Sequence, residues 1–131
     1  MIVYADSSAL VKLAINEMES GSLTAYLVGA ERVISSEVSE VEVVRAAAEE
    51  EGERGEELAR RVLGEVSLVE LTREVRLRAS RAAPRALKSL DAIHLATALE
   101  LAIEGVVFVG YDRRLQEAAA AAGLEIQSPG A

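Results

Sequence analysis

Cysteine is absent from the 131-residue sequence, and histidine occurs once, as His94. The lack of cysteine excludes disulfide bonds, thiolate zinc sites and thiol nucleophiles, and it is typical of a cytoplasmic protein. A single imidazole without any thiol also nearly excludes a hydrolytic triad. The sequence has neither a basic leader before an apolar core nor an apolar run long enough to span a bilayer, so we expect a soluble protein without a membrane partner.

Aromatic and basic residues are also few. There are one Phe, three Tyr and no Trp, and 14 Lys and Arg stand against 22 Asp and Glu, which gives a net charge of −8. This balance argues against a general nucleic-acid-binding protein, because phosphate contacts need Lys and Arg. However, residues 49–57 hold six Glu against one Arg (net −5), whereas residues 72–90 hold six basic residues against one Glu (net +5). The acidic average therefore conceals a basic segment.

Short apolar segments alternate with helical patterns along the chain. The predicted strands are residues 2–5, 32–35, 66–71, 106–109 and 124–127. The predicted helices include residues 20–28, 36–51, 55–64, 72–83 and 113–122. Because strands separated by helices form parallel sheets, the pattern predicts one α/β domain over residues 1–131, with a mostly parallel five-stranded sheet between two helical layers.

Several helix ends can be predicted from capping residues. Ser7 or Ser8 is expected to cap the first helix, and Thr72 to cap the basic helix, which Pro84 terminates. The Ser and Thr hydroxyls can accept hydrogen bonds from the unpaired N–H groups at the start of a helix. Proline has no backbone N–H and therefore interrupts a helix.

For two helices, the sequence predicts which residues are buried and which face solvent. In the helix over residues 36–51, one side carries Val38, Val41, Val44, Arg45 and Ala48. Glu42 lies at the edge of that side and is expected to face inward, whereas Glu40 points the opposite way. The helix that begins near Leu90 is apolar almost all round, which is typical of a buried helix, and only Glu100 and Glu104 are expected to face solvent.

Aspartate is scarce, because only Asp6, Asp91 and Asp112 occur among the 22 acidic residues. Asp6 ends the first strand, Asp112 follows the fourth, and Asp91 opens the buried helix. Because the carboxyl ends of parallel strands meet at one edge of a sheet, we expect these residues to lie together there with Glu42. Clustered carboxylates repel one another unless a cation neutralises them, and oxygen-only ligands suit Mg²⁺ or Mn²⁺ rather than zinc.

Each acid also has a purely structural interpretation. All three Asp can cap helices, the segment Ser39–Glu42 fits a capping box, and Glu42 can pair with Arg45. The set of four is harder to explain in this way, because the other predicted caps are Ser and Thr. His94 is expected to be a hydrogen-bonded packing residue, and Ser8 to be either a cap or a support for Asp6.

Segments along the whole chain resemble the PIN-domain ribonucleases, and specifically the toxins of VapC type. They are YADSSALVKL at 4–13, SEVSEVEVVR at 36–45, LDAIHLATAL at 90–99, FVGYDRRLQEAA at 108–119 and GLEIQSPG at 123–130. The segments follow the order of the family, and LDAIHLATAL is a specific signature. One departure is Gly110, where many relatives carry Thr or Ser, so that a hydroxyl is missing near Asp112.

The resemblance implies an endoribonuclease that depends on Mg²⁺ or Mn²⁺. It assigns Asp6, Glu42, Asp91 and Asp112 to the metal-binding and catalytic acids, and Ser8 to a supporting position. It also implies a homodimer and an antitoxin partner encoded beside the toxin.

The basic segment is either a solvated helix face or a surface that binds the RNA substrate. The second interpretation is based on its charge and its chain proximity to Asp91. The predicted RNA-binding residues are Arg81, Arg85, Lys88 and Arg113. Among other classes, a receiver domain needs an adjacent acidic pair after the first strand, and a haloacid dehalogenase phosphatase needs D-x-D, where this chain has Ser8. The more serious alternative is a non-catalytic PIN-like module that acts through protein contacts.

Overall fold

The computed structural model describes residues 1–102 and 105–131. The strands are β1 (Ile2–Ala5), β2 (Arg32–Ser36), β3 (Ser67–Val69), β4 (Val106–Val109) and β5 (Glu125–Gln127). The helices are α1 (Ser7–Ala14), α2 (Ser20–Leu27), α3 (Ser39–Gly64), α4 (Arg73–Ser80), α5 (Ser89–Glu100) and α6 (Arg113–Ala121). The predicted alternation of strands and helices is confirmed.

The five strands form one sheet in the order β3-β2-β1-β4-β5, and every neighbouring pair is parallel. The chain builds outward from β1 to β3 on one side, and then returns to place β4 on the other side of β1. Successive crossovers therefore leave β1 in opposite directions, which opens a crevice beyond the carboxyl ends of β1 and β4.

Alternate residues of the central strands face two separate cores. Val3 and Ala5 of β1 pack with residues of α1 and α3, whereas Tyr4 packs on the opposite side with Phe108 and residues of α5 and α6. Since side chains of a strand alternate between the faces of the sheet, burial on both faces requires helices on both. The predicted three-layer α/β/α arrangement is confirmed.

The inward face of α3 differs from the predicted one. The buried stripe of its first half is Ser39, Val43 and Ala47, because this side packs against α1. Val41 is 63% exposed and Arg45 is also exposed, so the side predicted from the valines was wrong. The apolar residues of the run SEVSEVEVV are spaced by three, two and one positions, and such irregular spacing fixes the face of a helix poorly.

The long helix α3 is broken at Glu51 and Gly52, where Gly52 has φ of +59°. This left-handed conformation is accessible to glycine at little cost. A Cβ at Gly55 would lie 2.0 Å from the carbonyl oxygen of Ala47, so the second half of α3 folds back closely onto the first. The prediction of two helical segments separated by glycine is thus confirmed.

Two predicted helix ends are wrong and one is right. Asp6 rather than Ser7 or Ser8 caps α1, by accepting a hydrogen bond from the amide of Ala9. Thr72 caps α4 as predicted, through the amide of Val75. However, α4 ends at Ser80, where the backbone leaves helical geometry at the next residue, before Pro84 is reached.

The burial of α5 is confirmed for its central part, where Ala92 and residues 94–98 are buried, but Leu90 at its start is 46% exposed, contrary to the prediction. Glu100 is exposed at the end of α5 and pairs with Arg78 at 3.1 Å. The prediction for Glu104 lies outside the described residues. Within residues 1–102 and 105–131, no helix combines the length and the hydropathy that crossing a membrane requires.

Candidate active site

Asp6 lies at the end of β1, where its amide still pairs with the carbonyl of Val109 on β4. Its side chain is almost fully buried, and Oδ1 accepts hydrogen bonds from the Ser8 hydroxyl at 2.6 Å and the Ala9 amide at 3.0 Å. Burial raises the pKa of this carboxyl, with a smaller contribution from the negative charge of Asp91, although both hydrogen bonds act in the opposite direction. The structure therefore holds Asp6 in one orientation in surroundings that disfavour its charge.

Glu42 reaches the same edge from the first turn of α3, as predicted, while Glu40 is exposed. Its Oε2 accepts a hydrogen bond from the Ser7 hydroxyl at 3.1 Å, and its Oε1 lies 2.8 Å from Nε2 of His94. Among the described residues, Glu42 forms no ion pair with Arg45 within 4.0 Å. The capping-box interpretation is wrong as well, because Val38 stands at the cap position without a side-chain cap, and the Ser39 hydroxyl bonds Ser35 instead.

Asp91 and Asp112 complete the acidic group. Asp91 lies half-buried in the first turn of α5, and its pKa is raised by burial and by the charges of Asp112 and Glu42. Asp112 is exposed and caps α6, with Oδ1 accepting from the amide of Leu115 at 3.1 Å. Asp91 is not a helix cap, because α5 begins two residues earlier, at Ser89.

The four acids, Asp6, Glu42, Asp91 and Asp112, thus lie around the crevice between β1 and β4. Their proximity is expressed in the pKa of Asp91, which the charges of both Asp112 and Glu42 raise. Within the described ranges, however, no three His, Asp or Glu side chains are already arranged to hold a metal ion. The donors have the oxygen chemistry that Mg²⁺ or Mn²⁺ prefers, but they do not yet converge on one point.

Gly110 makes room for the Asp6 carboxylate. A Cβ at this position would lie 2.4 Å from Oδ2 of Asp6, which is closer than atoms can approach without displacement. The absence of a side chain at position 110 therefore leaves the space that the Asp6 carboxylate occupies. At Asp112, the capping hydrogen bond is in place without any hydroxyl at position 110.

The Ser8 hydroxyl connects the two strand ends of the crevice. It donates to Asp6 and accepts from the amide of Tyr111 at 3.0 Å, one residue before Asp112. The predicted supporting role of Ser8 thus has a geometric basis, although Ser8 does not cap α1.

Ser128 and Pro129 form hydrogen bonds with Gly110 and Tyr111, in the loop that leads to Asp112. The Tyr111 hydroxyl donates to the carbonyl of Pro129 at 2.8 Å, and the Ser128 hydroxyl donates to the carbonyl of Gly110 at 2.7 Å. The loop that carries Asp112 is therefore fixed on two sides.

The predicted RNA-binding residues divide between two cavities. Lys88 and Arg113 line a cavity of about 430 Å³ together with Asp91, Asp112 and Arg114. Arg81 and Arg85 line a different cavity, of about 400 Å³, between α4 and the start of α5. Only the first cavity includes members of the four acids.

The sequence-based reasoning missed the contacts that Ser7, Lys12 and His94 make near the acids. Ser7 bonds Glu42, and Lys12 lines a groove with Glu42 and Asp112 while its ammonium lies 4.8 Å from the centre of the Tyr111 ring. His94 is buried and hydrogen-bonded, as predicted, but one of its partners is Glu42. Its place one turn after Asp91 on α5 was the available signal.

Comparison with known proteins agrees with this architecture. Residues 3–121 match the PIN domain family. The chain therefore belongs to the PIN-domain proteins.

The relatives narrow this class further. Ribonuclease VapC46 of Mycobacterium tuberculosis is 38% identical over 127 residues, which cover 97% of each chain. Ribonuclease VapC47 of the same organism is 38% identical over 135 residues, covering 99% of this chain and 98% of the relative. The chain is thus a member of the VapC ribonucleases, as the sequence motifs had indicated.

Solved structures share the fold over nearly the full length. VapC20 of Mycobacterium tuberculosis, described as a toxin that cleaves the sarcin-ricin loop, aligns with a TM-score of 0.77 at 18% identity over 97% of this chain and 99% of its own. A toxin-antitoxin complex from Klebsiella pneumoniae aligns with a TM-score of 0.70 at 19% identity over 97% of each chain. At such identities the likeness concerns the fold alone.

Proposed function

We propose that this chain is a Mg²⁺- or Mn²⁺-dependent endoribonuclease that hydrolyses RNA phosphodiester bonds as the toxin of a type II toxin–antitoxin pair. The observation that carries the proposal is the meeting of the four acids at the crevice between β1 and β4. Such a group of carboxylates is electrostatically unfavourable alone, and a divalent cation would offset the repulsion.

Asp6 and Asp91 are the proposed direct ligands, and Glu42 and Asp112 complete the site directly or through water. Two features support Asp6 in this role, namely its fixed orientation and the fact that both its hydrogen bonds end on Oδ1. The cation would supply an activated water at neutral pH and would offset charge on the phosphate oxygens. Glu42 and Asp112 border the groove from which a phosphodiester would approach.

Lys88 and Arg113 are the proposed contacts for the RNA backbone nearest to the acids. They share a cavity with Asp91 and Asp112, so a phosphate bound there would lie beside the carboxylates. Arg81 and Arg85 would extend the same track toward α4. A local excess of positive charge is needed at this place, because the acidic chain as a whole repels RNA.

We also propose a cytoplasmic homodimer that is inhibited by a cognate antitoxin. Solved neighbours of the same fold include a toxin-antitoxin complex. An acidic crevice of this kind would attract a basic side chain from such a partner, which would then compete with the metal.

The test is RNA cleavage with Mg²⁺ or Mn²⁺, with excess EDTA, and with matched variants. Asp6→Asn and Glu42→Gln should abolish or strongly reduce cleavage. Glu40→Gln removes an equivalent charge two residues away on the exposed side of α3, and it should leave the rate unchanged. Full activity in EDTA or in Asp6→Asn would refute the metal mechanism.

A metal titration separates the nuclease from the non-catalytic alternative. Binding of Mn²⁺ that Asp6→Asn eliminates, together with RNA cleavage, supports the nuclease. A folded protein that neither binds metal nor cleaves any RNA in a mixed pool would identify a PIN-like interaction module instead.

A further inference from the structure

The only histidine of the chain forms a buried link between the core and the candidate active site. Nδ1 of His94 lies 2.7 Å from the Tyr4 hydroxyl, and Nε2 lies 2.8 Å from Oε1 of Glu42. Tyr4 and His94 are both 0% exposed, whereas the Glu42 side chain is 19% exposed. The three side chains therefore form a line from β1 through α5 to α3.

We propose that His94 is a positioning residue for Glu42, and that Tyr4 holds the imidazole with its proton on Nε2. The role rests on the proposed function, because it concerns the place of Glu42 among the four acids. It assigns to His94 the task of fixing a long, flexible carboxylate before metal and RNA arrive.

The position of the proton follows from the two neighbours of the ring. An unprotonated Nε2 would direct its lone pair at a carboxylate oxygen 2.8 Å away, which is repulsive, so Nε2 must donate. On the other side, burial raises the pKa of Tyr4, so its hydroxyl keeps its proton and can donate to Nδ1. The two contacts together favour a ring with its proton on Nε2 and its lone pair on Nδ1, directed at the Tyr4 hydroxyl.

The surroundings make this arrangement rigid. Tyr4 stacks on Phe108 with ring centroids 5.5 Å apart, and it meets His94 edge-on at 5.9 Å. A second hydrogen bond, from Ser7, holds the other oxygen of Glu42. Glu42 of α3 is therefore held directly from α1 and α5, and Tyr4 of β1 holds the His94 ring in turn.

A purely structural histidine would satisfy its polar atoms among other core groups. In this chain the Nε2 proton instead points to a carboxylate that is partly exposed at the groove. Ligand-orienting partners of this kind change metal affinity or activity by about 10–100-fold when they are removed.

The first measurement is NMR of the imidazole nitrogens in the free protein, where a single histidine gives an unambiguous signal. We expect a protonated Nε2 and an unprotonated Nδ1 at neutral pH. In Tyr4→Phe, which removes only the hydroxyl, the Nδ1 resonance should shift because its hydrogen bond is lost. A dominant Nδ1–H tautomer in the wild-type protein would overturn the proposal.

The second measurement is Mn²⁺ affinity by calorimetry, with the RNA cleavage rate alongside it. His94→Leu should weaken Mn²⁺ binding by about tenfold or more and lower kcat with little change in KM. His94→Gln, whose amide can still donate to Glu42, should recover much of the affinity. Leu95→Val perturbs the same buried helix without touching Glu42, and it should lower the melting temperature while leaving Mn²⁺ affinity unchanged.

His94→Leu leaves the buried Tyr4 hydroxyl without its partner, so the variant could fail to fold. The double variant Tyr4→Phe/His94→Leu removes both polar groups together and serves as the folded alternative. Wild-type affinity in either folded variant would overturn the positioning role. If the wild-type protein does not bind Mn²⁺, the proposed metal-dependent function is overturned. The nitrogen shifts of His94 are measured without metal, so they still test the hydrogen bonds of His94 separately.

Discussion

Removing the charge of Asp6 should stabilise the metal-free protein. The carboxylate is 2% exposed, and burial is the main cause of its raised pKa. In Asp6→Asn the amide oxygen can still accept the hydrogen bonds from Ser8 and Ala9, and Asn caps a helix as well as Asp does. The variant therefore loses little of the local structure while it removes an unfavourable buried charge.

The size and the pH dependence of this gain follow from the direction of the pKa shift. Because the folded state binds the proton more tightly, the stability that Asp6 contributes is complete below its unfolded pKa, near 3.8, and is lost as the pH rises through the raised folded pKa. The advantage of Asp6→Asn should therefore grow with pH and then level off. The plateau equals about 1.4 kcal/mol for each pH unit between the folded and unfolded pKa values.

Thermal unfolding in EDTA between pH 4 and pH 8 measures this difference. We expect a gain of about 0.5–2 kcal/mol, the usual size of a single stabilising substitution, and at this chain length 1 kcal/mol raises Tm by about 4 °C. Mg²⁺ at 100 times its Kd should then stabilise the wild-type protein by about 2.7 kcal/mol and leave Asp6→Asn unchanged.

Glu40→Gln is the matched control, because Glu40 is exposed on α3 outside the group of four acids and its replacement should scarcely change Tm. The reasoning is refuted if Asp6→Asn melts at or below the wild-type temperature at pH 7 in EDTA. It is equally refuted if the difference between the two proteins is the same at pH 4 and pH 8.

Two further predictions concern the support of the site and the RNA track. Ser8→Ala removes the hydroxyl that joins Asp6 to the Tyr111 amide. We therefore expect the free energy of unfolding in urea to fall by about 1–3 kcal/mol and Mn²⁺ binding to weaken. An unchanged Mn²⁺ affinity would contradict a role of this hydroxyl in the site. The double variant Lys88→Ala/Arg113→Ala should bind a mixed-sequence single-stranded RNA more weakly, as measured by fluorescence anisotropy in the Asp6→Asn background. The slope of log K against log salt should fall by about 1.4, which is about 0.7 for each lost phosphate contact. Arg32→Ala, at the start of β2 and thus at the opposite edge of the sheet, should leave that slope unchanged.

The sequence predicted those parts of the fold that local patterns determine. The fully apolar segment VVFV became the buried strand β4, and Thr72 and Asp112 cap their helices, since these signals need only neighbouring residues. The inward face of α3 was predicted wrongly, because packing against α1 buries Ser39, Val43 and Ala47 and leaves Val41 exposed. The end of α4 was also predicted wrongly, since this helix ends at Ser80, before Pro84.

The location of the acids at one edge of the sheet could be predicted once the sheet was predicted to be parallel. Asp6 and Asp112 follow strands, and parallel strands bring their carboxyl ends together. The contact of His94 with Glu42 was not predictable, because it depends on how α5 and α3 approach each other across the crevice. No spacing within either segment specifies that distance.

The structural and the functional interpretations of the Asp residues are compatible. At Asp6 and at Asp112, the capping hydrogen bonds end on Oδ1, and they fix the plane of the carboxyl group beside a helix N-terminus. The partial positive charge of that terminus offsets part of the negative charge that the crevice collects. A cap thus holds a carboxylate in place and makes its ionised form less unfavourable, and the capping hydrogen bond engages only one of the two oxygens. Capping is therefore a means by which these two helices can present ligands, and its presence does not count against a metal site.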